Sequence, residues 1–92
     1  MFFSNHAKYE MKNDEFGRIY VNDIDNMINS SEIIENYPND KPYPSYLLLG
    51  FSEEKPIHIV VAYSESDDKI IFITAYRPNP DFWIDFKARK KS

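Results

Sequence analysis

His6 and His58 are the two imidazoles of this chain, and imidazole is the side chain best matched to acid–base work near neutral pH. His58 lies between Ile57 and Ile59 in an apolar run, so strand alternation turns it to the face opposite its neighbours. His6 lies in a helical stretch with Glu10 four residues on, along the same helix face. Arg77 follows Tyr76 at the end of a second apolar run, just before Pro78 and Pro80. A guanidinium there can grip a phosphate bidentately, and the Tyr76 phenol can donate a hydrogen bond or stack on a nucleobase. Phe82 and Trp83 can extend the stacking surface. Lys87, Arg89 and Lys90 add phosphate attraction that weakens with salt. The chemistry on offer is proton transfer beside a bound phosphate, with His58 and Arg77 as the first functional pair and His6 next. Each residue also has a structural use: His58 as a hydrogen-bonded sheet residue, His6 bonded to nearby backbone, Arg77 paired with a carboxylate, and Trp83 closing the core.

Other site chemistries lack their parts. With no Cys and no HxxxH pair the residues argue against zinc, and with Gly17 and Gly50 alone no phosphate loop or dinucleotide fingerprint can be written. The pairs Asp67-Asp68 and Asp23/Asp25 are explained by a turn and by a helix first turn, and calcium would need more ligands. No metal or cofactor is expected.

The 92 residues make one domain, with a core at about 4–84 and a basic tail at 87–92. Apolar residues are 42% and aromatics 16% of the chain, enough for a core without metal or disulfide staples. The absence of Cys fits a reducing compartment. The start MFFSNHAKYE has neither the basic nor the apolar region of a signal peptide, and no apolar run approaches the ~20 residues that span a bilayer. The expectation is a soluble cytoplasmic protein with no membrane association. Its net charge of −4 is uneven: residues 1–86 hold all 15 acids and seven of the bases, for −8, while Lys87, Arg89, Lys90 and Lys91 give +4. Such a tail suits a polyanion or an acidic partner, or is simply a solvated, frayed end.

The elements that must position these groups are short. Ser4 or Asn5 can cap a helix of about ten residues carrying Phe3, Ala7 and Met11 at spacing four. Phe16-Gly17-Arg18 reads as a break. Asn22 is a candidate second cap, with Asp23 and Asp25 in a first turn and an apolar stripe Val21, Ile24, Met27, Ile28. Glu32–Tyr37 reads as a charged edge strand, and three prolines make 38–45 a loop. Tyr46–Phe51 and Ile57–Tyr63 are almost continuously apolar and read as strands covered on both faces. Ser64–Asp68 turns into Lys69–Tyr76, and the short connections make an antiparallel meander. Asp81 can cap a short C-terminal helix. The fold class is α+β: a short N-terminal helix pair packed on a four-stranded antiparallel sheet, with a short C-terminal helix.

The ordered set His6-Ala7-x-x-x-Met11, Glu32-Ile-Ile-Glu-x-Tyr-Pro38, Tyr46-Leu-Leu-Leu-Gly50, Ile57-His-Ile-Val-Val-Ala62 and Ile73-Thr-Ala-Tyr-x-Pro78 followed by Trp83 resembles the prokaryotic domain-of-unknown-function family 4258 over roughly residues 4–84. That resemblance implies a RelE-like toxin fold, a neighbouring antitoxin-like protein, and metal-independent cleavage of mRNA. Glu10 departs from the family, which often has Arg just before the Met of the first motif; if that Arg binds phosphate, this chain has lost it. Two further readings stand beside the endoribonuclease. The chain can be a non-enzymatic protein-binding module, favoured by its acidic body, or an inactive toxin homologue, suggested by Glu10. The endoribonuclease requires the His58 imidazole and the Arg77 guanidinium to share one open concavity.

Overall fold

In the computed structural model, which describes residues 3–91, two α-helices, a short 3-10 helix (Ile28–Ser30) and six strands follow one another along the chain. Ser92 of the expected tail lies outside the described residues. Helix α1 (Asn5–Lys12) is capped by Ser4, whose hydroxyl accepts the Ala7 N–H at 3.1 Å. It is shorter than the periodicity suggests because Asn13 stops it, with both its backbone and side-chain N–H groups on the Tyr9 carbonyl. Helix α2 (Val21–Met27) begins two residues before the position that a cap at Asn22 would set. The Asp23 carboxylate reaches back to the Tyr20 N–H at 2.8 Å, which makes Tyr20 the cap and leaves Asn22 inside the first turn. Asp23 also accepts the Ser52 hydroxyl, tying the helix to the sheet.

Strands β1 (Glu32–Tyr37), β2 (Ser45–Ser52), β3 (Lys55–Ser64) and β4 (Lys69–Tyr76) form an antiparallel meander in that spatial order. The β2–β3 connection turns on Glu53 and Glu54, both at positive φ (52° and 68°), as a two-residue hairpin requires. One edge is β1, as its charges suggest; the other is β4. On β4, Val60 of β3 pairs with Thr74 and Val61 with Phe72, which leaves Ile73 as an exposed bulge on that edge.

The two helices do not pack as a pair. Each lies on the same sheet face over its own strand, α1 on β4 and α2 on β2. Phe3, Ala7, Met11, Ile24 and Met27 meet Ile19, Ile57, Ile59, Val61 and Ala75 to form the main core. Val21, expected in the apolar stripe, is exposed. Alternation then sends His58, Leu47 and Leu49 to the other face. Both central strands are covered on both sides, in keeping with their unbroken apolar character.

The expected C-terminal helix is absent. Residues 81–91 form a strap containing a small antiparallel ribbon, β5 (Trp83–Ile84) with β6 (Ala88–Arg89). Its turn places Asp85 and Phe86 at φ of 52° and 63°, a conformation no right-handed helix accommodates. The pattern is strand-like, with Trp83 buried and Ile84 exposed. Among the described residues no helix is long and apolar enough to cross a membrane.

Candidate functional site

His58 is fully buried. Its Nε2 lies 2.7 Å from the Phe86 carbonyl oxygen, which can only accept, so Nε2 carries the proton. Nδ1 is then the acceptor for the Tyr76 hydroxyl at 3.2 Å. The Trp83 ring stands edge-on against the imidazole with centroids 4.5 Å apart. Burial depresses the His58 pKa below its ordinary value, an effect opposed by the Phe86 hydrogen bond and the Glu35 charge. The imidazole is thus neutral, fixed in one tautomer, and bonded at both nitrogens.

Arg77 is one residue beyond the partner of His58 in the ladder, so it turns to the helix side. There it meets the loop between α1 and α2. Its Nε donates to the Gly17 carbonyl at 3.0 Å, one terminal nitrogen to Arg18 at 3.1 Å and the other to Pro56 at 3.3 Å. Its backbone N–H is held by Asp14 at 2.9 Å. Gly17 has a φ of +127° and lies so close that a Cβ there would sit 3.2 Å from the Arg77 Nε. The guanidinium is a clamp on three carbonyls. His58 and Arg77 therefore occupy opposite sides of the sheet, and the shared concavity expected from sequence is not formed. His6 is on the exposed surface of α1, 3.6 Å from Glu10, apart from both.

The remaining residues expected to contact RNA belong mostly to the strap. Arg89 grips Glu35 with two nitrogens at 2.9 and 3.1 Å and lies over the Trp83 ring at 4.6 Å. Glu35 also accepts the Tyr37 hydroxyl, and its carboxyl is held below the usual range, chiefly by Arg89. Lys87 pairs with Glu32 at 2.9 Å. Lys90 is exposed, with its backbone N–H on the Phe82 carbonyl. Tyr76 is half-buried, and its phenol is pushed up by burial.

Beside this network lies a cleft of about 540 Å³ along the C-terminal end of β4. Its lining includes the acidic Glu10, Asp14 and Glu15 and the aromatic Phe16, Tyr76, Phe82 and Trp83. Arg77 also lines the cleft, with its guanidinium nitrogens bonded to the Gly17, Arg18 and Pro56 carbonyls. Carboxylates and aromatic rings bordering one cleft suit a cation, which gains from both. In the sequence Phe16-Gly17-Arg18 reads only as a break, and the acidic lining around it is not evident. A signal was present: Glu10, Asp14 and Glu15 crowd the C-terminal end of α1, where the helix dipole disfavours anions. Among the described residues no group of three or more His, Cys, Asp or Glu side chains is arranged to hold a metal ion.

A sequence model of a domain of unknown function, DUF4258, matches residues 3–77. No curated protein and no solved structure gives a significant match.

Proposed function

Since the chain belongs to the DUF4258 family, whose model spans most of it, we propose that it is a non-enzymatic protein-binding module taking a basic segment of its partner in the acidic–aromatic cleft. One observation carries this reading: the imidazole and the guanidinium that phosphate chemistry would need are both consumed by protein groups on opposite sides of the sheet. What stays open to solvent nearby is acidic and aromatic, which repels a phosphate backbone and attracts Lys or Arg.

Exposed ion pairs contribute roughly 0.5–1 kcal/mol each and a surface cation–π contact about the same, so an isolated lysine peptide should bind only in the millimolar range. The test is an NMR titration of the whole chain with a blocked tetralysine peptide. Shifts centred on Phe16, Tyr76 and Phe82, reduced by Glu10→Gln and Glu15→Gln and by added salt, are expected. Shifts confined to another surface, or none at several millimolar peptide, would overturn the assignment.

A RelE-like mRNA endoribonuclease working with an antitoxin-like partner is the alternative, supported by the exposed Lys90 and by the basic character of 87–91. It requires the strap to lift from His58. Induced expression that arrests growth and fragments transcripts, with both effects lost in His58→Ala, would establish it over the binding module.

A further inference from the structure

Phe82 and Trp83 line the cleft, where one backbone bond, from the Phe82 N–H to the Asn79 carbonyl at 3.0 Å, ties them to a neighbouring lining residue. Their segment is fixed from the far side. Arg89 is bonded twice to Glu35 on β1 and stacks on Trp83, Lys87 is paired with Glu32 on the same strand, and His58 holds the Phe86 carbonyl. The turn between these anchors puts the bulky Phe86 at positive φ, a strained conformation that persists only where surrounding contacts impose it. A strained ribbon of two residue pairs has little stability of its own. The strap also lies beyond the segment that the family model covers.

We infer that Glu35 and Arg89, which do not line the cleft, are its positioning residues: their ion pair holds the strap down and so sets the Phe82–Trp83 wall that a cationic ligand meets. This rests on the cation-accepting cleft proposed above and adds what assembles it. The pair works at a distance from the ligand, through Trp83, so the geometry predicts an effect opposite in sign to simple electrostatics. Reversing the Arg89 charge makes the cleft surroundings more negative and would by itself tighten binding of a cation. Loss of the wall weakens it.

Trp83 is the one tryptophan of the chain, so its emission reports the wall directly. The experiment compares wild type, Arg89→Glu, Arg89→Gln and the swapped pair Glu35→Arg/Arg89→Glu, all full length, by tryptophan emission and by tetralysine titration. Arg89→Glu should shift the emission to the red and weaken tetralysine at least about fivefold, with Arg89→Gln in between and the swapped pair recovering both. Unchanged emission in Arg89→Glu, or tighter peptide binding, overturns the inference. Should Arg89→Glu fail to fold, Arg89→Gln carries the same comparison. An emission shift that the swap reverses, in a protein whose wild type ignores tetralysine, supports the positioning role and removes the cleft reading alone.

Discussion

The His58 imidazole makes two hydrogen bonds that a neutral ring satisfies and that a buried charge would disturb. Its pKa in the folded chain is below the unfolded value of 6.5, so the unfolded state binds the proton first as pH falls. Stability from this group is therefore complete above about pH 6.5 and declines below it. Glu35, also depressed from 4.5, adds a second loss only below that value. Urea midpoints should be flat above pH 7 and fall as the pH drops below 6.5, and His58→Gln should remove the part of that slope lying above the Glu35 range. Arg77 offers a separate test. Its three side-chain contacts are to backbone carbonyls, so Arg77→Ala should cost roughly 2–4 kcal/mol of unfolding free energy. Arg77→Lys should recover little of it, because an ammonium cannot span the diverging carbonyls that the planar fork reaches. Unfolding curves for both variants check this, and a stability change of under half a kcal/mol would contradict the clamp.

At the scale of elements, the close approach of α2 to β2 depends on Gly50. A Cβ there would lie 2.3 Å from the Met27 Cε and 2.9 Å from its Cβ. The first atom can swing aside, while the second is fixed to the helix. Gly50→Ala should therefore push α2 off the sheet and destabilise by about 1–3 kcal/mol, read by chemical denaturation. The existence of the two N-terminal helices and the two-sided cover of β2 and β3 are legible in periodicity, and the strand order in the short connections, while the packing of the helices as a pair is not borne out. The C-terminal helix is not borne out either. An eight-residue stretch such as DFWIDFKA carries apolar residues that fit either period, and what decides between them lies outside it. Glu32 and Glu35 on β1, more than fifty residues earlier, capture Lys87 and Arg89 and hold the segment as a ribbon.

The whole molecule is an acidic body, and among its eleven basic residues Arg77 is engaged by its own carbonyls and Lys87 and Arg89 by carboxylates of β1. This argues for weak attraction to nucleic acid in spite of the charged end, and induced expression should leave transcripts intact and growth normal; fragmented mRNA would contradict it. The amino-acid order by itself determined the family, the α+β class and the four-strand meander, because hydrophobic period, caps and turns act over a few residues. It also supplied the titratable groups, His58 and Arg77 among them. Only the tertiary structure decided what those groups face. One residue of offset between His58 and Arg77 put them on opposite sides of a two-faced sheet, and the strap then closed over the imidazole. Partners of a polar side chain are set by contacts across tens of residues, and local sequence does not encode them.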